Sequence, residues 1–148
     1  MSELDFSIIL SWWSGLENDR GGRAGLRRAH NLTEVAFIEA YHRLYNQMRF
    51  SDREALALAA GVCAHVKTHN AGKFAEQMAA GDKPKVNGLR FRRLLAITDR
   101  NELYHMMVRV IRLLDGTVDV CDLAKTVYGW NENTKKRLAY DYYAKAND

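Results

Sequence analysis

Apolar residues recur along this chain at intervals of three and four, and polar runs and glycines break the rhythm into segments. That pattern predicts helix after helix. Leu4 to about Asn18 puts Leu4, Ile8, Ile9, Trp12 and Leu16 on one broad face, with Trp13 at its edge. Thr33 reads as the cap of a helix to about Met48 that turns Phe37, Ile38, Tyr41, Leu44, Tyr45 and Met48 inward. Ser51 and Glu54 have the spacing of a capping box, opening a helix that buries Ala55, Leu56, Ala59, Val62, Cys63 and Val66. A shorter helix is expected near Lys73 to Ala80.

Gly81 to Gly88 holds the chain's only proline, two glycines and two lysines, and reads as a linker. Beyond it, Leu89 to Ile97 turns Phe91, Leu94 and Leu95 inward. Asp99 and Glu102 open a helix to Leu114 that buries Leu103, Met106, Met107, Val110 and Leu114, and Gly116 closes it. Asp119 starts another helix, which Gly129 stops, and Asn131 or Asn133 opens the last, with Leu138, Tyr142 and Ala146 inward. No strand alternation is visible. The expected fold is all-α: about eight helices in two small lobes, residues 1–80 and 88–148, joined by a linker at 81–87.

Composition narrows the class without changing this picture. Apolar content of 47% and charged content of 27% over 148 residues suit a globular chain with a real core. No window approaches eighteen uninterrupted apolar residues, and Glu3 and Asp5 precede the first apolar run, the wrong sign for a secretory signal. Cys63 and Cys121 read as small core residues of a reduced protein, so the expected location is cytoplasmic, with no membrane partner.

Candidate chemistry is sparse. His65 and His69 are four apart, but no third ligand follows in any metal-binding pattern. The glycines at 21, 22 and 25 form neither a Walker loop nor a dinucleotide fingerprint, and no nucleophile elbow occurs. The expectation is no catalytic site, no metal and no cofactor.

Charge is more informative. Residues 1–80 carry 9 basic and 9 acidic side chains, and residues 81–148 carry 13 and 9, so the net +4 lies in the second half. Three basic groups stand apart from the apolar faces. Arg20, Arg23, Arg27 and Arg28 fall among glycines that would keep backbone close to a ligand. Lys83 and Lys85 precede Arg90 and Arg93. Arg109 and Arg112 cluster with His105 opposite the apolar arc of their helix. Guanidinium forks on rigid helices suit phosphate oxygens, and without a base-reading element the contacts would be to backbone. These ten residues are the candidate nucleic-acid-binding set. Asp122 to Leu138 superficially resembles a helix-turn-helix, which leaves a sequence-reading regulator as an alternative.

The order of features resembles the CasB family, the small subunit of the type I-E CRISPR Cascade complex. The likeness rests on Trp12-Trp13-x-x-Leu16, then Gly22-Arg23-Ala24-x-Leu26-Arg27-Arg28, Arg90-Phe91-x-x-Leu94-Leu95 and Arg100-x-Glu102-Leu103. It ends with Leu123 to Trp130 and Tyr142-Tyr143. The resemblance implies a non-catalytic, all-helical subunit, present twice per complex, that touches the other Cascade subunits. It would help hold the crRNA–target hybrid and guide the displaced DNA strand, because R-loop formation is a nearly balanced exchange that a protein surface can tip. A purely structural adaptor, with its arginines paired to acids on neighbouring subunits, is the competing expectation.

Overall fold

The computed structural model describes residues 5–147. Ten α-helices make up the described chain: α1 Ser7–Gly15, α2 Arg20–Arg28, α3 Leu32–Val35, α4 Glu39–Met48, α5 Arg53–Cys63, α6 Phe74–Ala79, α7 Gly88–Leu95, α8 Arg100–Leu113, α9 Val120–Tyr128 and α10 Glu132–Ala146. A 3-10 turn, Leu16–Asn18, extends α1. The fold is all-α, as the periodicity indicates. The exception that alternation could not reveal is a parallel pair of two-residue strands, β1 Thr68–His69 and β2 Thr117–Val118. The expected inward position of Leu4 lies outside the described residues.

Seven helices share one starting device. Asp19, Asn31, Asp52, Asn87, Asp99, Asp119 and Asn131 each accept a hydrogen bond from the amide three residues on. This satisfies one of the orphan donors that every helix start leaves. Two expected caps therefore move. Asn31, not Thr33, starts the second segment, and Asp52, not Ser51, starts α5; Glu54 turns to Arg100 at 3.0 Å instead of completing a box.

The helix expected over 33–48 is broken at Ala36 to Ile38. Ile38 takes an extended backbone there, and its side chain fills the space left open by Gly25. Carrying one periodicity through the break assigned Phe37 to the core, whereas it is 76% exposed. The helix after Asp52 also ends sooner than expected, at Cys63. His65 consequently sits in the following turn and His69 on β1, so the two do not share a helical face.

α5 is the centre of the fold. All of Ala55 to Cys63 is buried, and its five small residues (Ala55, Ala57, Ala59, Ala60 and Gly61) let neighbours approach closely. α3, α4, α8 and α9 pack around it, α1 lies across α4 and α9, and α2 lies on α4 and α5. α6 packs against α10, so helices on either side of residues 81–87 meet directly. Within that segment Val86 is buried, and its amide donates to Met78 O at 2.9 Å. Cys63 is buried, Cys121 half-buried, and both are free thiols. No helix among the described residues is long and apolar enough to cross a membrane.

Gly61 marks the tightest crossing. A Cβ there would come within 2.9 Å of both Tyr104 Cε1 and Val35 Cγ2. Gly61→Ala should therefore destabilise the protein by about 1–2 kcal/mol, with overpacking outweighing the gain in helix propensity. A thermal melt lowered by about 3–8 °C is the expected reading.

Candidate nucleic-acid interface

The arginine-rich stretch is a complete helix, α2, rather than a glycine loop leading into one. Two of its three glycines serve packing. A Cβ on Gly22 would lie 3.0 Å from Ala40 Cβ and press on the Asp19 carboxylate, and one on Gly25 would meet Ile38 Cδ1 at 3.2 Å. Leu26 is buried beneath the helix. At its far end the Tyr104 hydroxyl, from α8, donates to Ala29 O at 2.8 Å and lies 3.5 Å from Leu26 O. Burial pushes the Tyr104 pKa up to about 12, so the hydroxyl stays protonated and keeps donating.

That junction sets α2 beside α8 with a hollow of about 560 Å³ between them. Arg27, Arg28 and His30 come from one side, and His105, Val108, Arg109 and Arg112 from successive turns of α8. His65 and Tyr104 also line it. A second hollow of about 330 Å³ shares Arg27, His65 and Arg112 and adds Lys67 and Asp115. A third, of about 260 Å³, shares Lys67 and adds Arg23, Trp13, Glu17 and His69. The three form a trench across one face. Six cations line it against two carboxylates, Glu17 and Asp115.

Four sequence candidates, Arg27, Arg28, Arg109 and Arg112, thus converge from segments some eighty residues apart, and Arg23 joins them farther along. Arg20 is exposed on the first turn of α2 and lines none of these hollows. Lys83, Lys85, Arg90 and Arg93 are exposed on α7 and the segment before it, apart from the trench walls. Among the described residues, none of the ten candidates forms a salt bridge; the carboxylates pair instead with Arg43, Lys73, Arg100, Arg137 and His30.

Arg27 has a second duty. Its Nε donates to Ala64 O at 2.6 Å, so a cation caps the carbonyl end of α5, where the helix dipole favours it. Partial burial and then the nearby charge of Arg23 lower its pKa, though a guanidinium so placed remains charged. Lys67 was missed by sequence reasoning because it belongs to no stripe. The β1–β2 pairing fixes it: its amide donates to Gly116 O at 2.8 Å, and its stem lies over Gly116, where a Cβ would come within 3.0 Å. Gly116 adopts φ +76°, and no side chain stands in the way.

His65 lies between two of these cations. Burial first, then the charges of Arg27 and Arg112, lower its pKa to about 4, and its buried Nε2 has no hydrogen-bond partner among the described residues. The imidazole is neutral at pH 7.

The model of the CRISPR-associated protein Cse2 family (CRISPR_cse2) matches residues 22–143, a span that includes the trench arginines. The chain belongs to the Cse2 family. Solved structures share its fold. A chain of the crystal structure of E. coli Cascade bound to a PAM-containing dsDNA target superposes with a TM-score of 0.76, at 19% identity over 99% of both chains. CasB from Thermus thermophilus superposes with a TM-score of 0.79, again at 19% identity, over 96% of this chain and 99% of that one. No curated protein matches the chain. The family assignment and these superpositions agree with the all-α fold and with the CasB resemblance read from the sequence.

Two measurements follow from the trench in this chain. Arg27→Ala should cost about 1 kcal/mol of stability through the lost helix cap, whereas Arg28→Ala should stay within about 0.5 kcal/mol; urea midpoints decide. His65 binds a proton in the unfolded chain below pH 6.5 but not in the fold until about pH 4. Stability contributed by the neutral ring is therefore full above pH 6.5 and lost as pH falls towards 4. Solvent at the ring's exposed edge limits the loss to about 2 kcal/mol. His65→Gln should flatten that part of the pH profile.

Proposed function

We propose that this chain is the small subunit of a Cascade-type, RNA-guided surveillance complex and grips nucleic-acid backbone along the α2–α8 trench. In that role it stabilises the crRNA–target hybrid and the displaced strand, beside the other Cascade subunits and a second copy of itself. The observation that carries this reading is the convergence of Arg27, Arg28, Arg109 and Arg112 on one hollow, with none of them paired to a carboxylate among the described residues. Like charges gathered without counter-charges repel one another, and a polyanion relieves the repulsion. Lys83, Lys85, Arg90 and Arg93 form a second basic surface, and Arg20 extends the first.

Family membership and the fold shared with a chain of DNA-bound E. coli Cascade support the assembly part of the proposal. The regulator reading loses ground at the start of α10, where a reading helix would need free polar side chains. Lys135 donates to Ile97 O at 3.0 Å and stacks on Trp130, and Arg137 faces Asp122 at 3.8 Å. A structural adaptor, its arginines paired to acids on neighbouring subunits, is the competing reading; the Arg27 cap is a contact within this chain and favours neither.

The test uses the triple variant Arg28→Ala, Arg109→Ala, Arg112→Ala, which spares that cap. It should enter the reconstituted complex normally and weaken R-loop formation on every target sequence alike. If about four phosphates of a single strand are neutralised, the wild-type salt slope is roughly −3 and the variant's roughly −1. Unaltered R-loops, or loss of the variant from the assembly, would reject the proposal.

A further inference from the structure

α10 carries an outward stripe that packs on the fold at one residue only, Tyr143. Lys136, Tyr140 and Tyr143 are spaced i, i+4, i+7 and share one face, opposite the buried Leu138 and Tyr142. Tyr140 is 79% exposed and Tyr143 38%. Tyr143 is nonetheless held in orientation. Phe91 from α7 meets its ring at 86° and 5.6 Å, and Tyr142 meets it at 89° and 5.1 Å. Phe91 in turn stacks flat on Tyr142 at 3.9 Å, which fixes α7 beside α10. α7 carries three arginines and no acid, and of these Arg92 is the one whose positive charge reaches Tyr142. Neither Lys136 nor any α7 arginine forms a salt bridge among the described residues; the one acid in the first turn of α10 is Glu132.

We infer that Tyr140 and Tyr143 form a stacking platform for unpaired nucleobases, with Arg92 and Lys136 holding the connecting phosphates. The inference extends the reading of this chain as a nucleic-acid-binding subunit to a second surface and assigns that surface a ligand class, single-stranded nucleic acid. A duplex hides its base faces, so aromatic faces on a basic surface select unpaired strands. An exposed ring fixed by neighbouring rings loses little freedom on stacking, which makes it an efficient platform. Tyrosine rings also serve protein interfaces, but unpaired cations beside them favour a polyanion, and a single strand is the polyanion that also offers faces to stack.

The test is fluorescence anisotropy of the full-length chain with oligothymidylate and with an abasic deoxyribose-phosphate oligomer of equal length. The wild type should bind oligothymidylate more tightly than the abasic oligomer. Tyr140→Ala and Tyr143→Ala should each weaken oligothymidylate binding about tenfold, and leave abasic binding unchanged. Tyr140→Trp should retain affinity. Tyr143 touches Phe91, so Tyr140→Ala alone decides the matter should the Tyr143 variant lose structure by circular dichroism. The Arg28, Arg109, Arg112 triple variant should keep the difference between the two oligomers even as its overall affinity falls. Equal affinity for both oligomers, no binding at all, or tyrosine variants indistinguishable from wild type would overturn the inference. The last result, beside a weakened triple variant, would leave the trench reading standing, and the surface would then belong to a protein neighbour.

Discussion

The Tyr104 hydroxyl is the contact on which the basic face depends. It is the hydrogen bond that ties the end of α2 to α8, and it does so from a buried ring lodged against Gly61, near the C-terminal end of α5. A buried donor that meets two backbone carbonyls of another helix fixes distance as well as adjacency, because moving it leaves polar groups dry and unpaired. The opposing arginines are therefore set by the core rather than by their own preferences. Repelling one another, they would otherwise drift apart.

The same economy governs where carboxylates go. Asp19 caps α2 and pairs with Arg43, Asp52 caps α5 and pairs with Arg100, and Asp122 accepts the Phe74 amide and faces Arg137. Acids are consumed at helix starts and at the joints between helices, and the arginines outside those joints remain available. A near-neutral first half of the chain thus presents a strongly positive surface without any imbalance in its composition.

Much of the architecture was legible because buried faces repeat at 3.6 residues and helix starts carry Asp or Asn. Leu26, Phe91, Leu103, Leu123 and Tyr142 are buried as their spacing indicates. The errors have local causes. Phe37 was assigned to the core because a three-residue break between α3 and α4 leaves no mark in the apolar count, and its cause, Ile38 filling the gap beside Gly25, is a tertiary contact. The glycines of α2 looked like ligand-approach glycines because sequence cannot tell a helix packed tightly on its own protein from one packed on a partner. Of the site, the two arginine groups were legible as separate stripes. Their meeting depends on Tyr104, and the place of Lys67 beside them depends on a two-strand bridge between residues almost fifty apart, below any pattern threshold. His65 drew notice as half of a metal-like pair and turned out to be the neutral wedge between guanidiniums.

The trench walls are held by a side-chain bolt and by helix packing, and the hollow between α2 and α8 opens to solvent. On the proposed reading such a surface is a cradle and not a clamp: a strand would be laid into it sideways along its length and lifted out the same way, without threading an end and without waiting for a gate. Entry and exit would then be governed by charge alone, and occupancy would answer to ionic conditions faster than to any rearrangement of the protein.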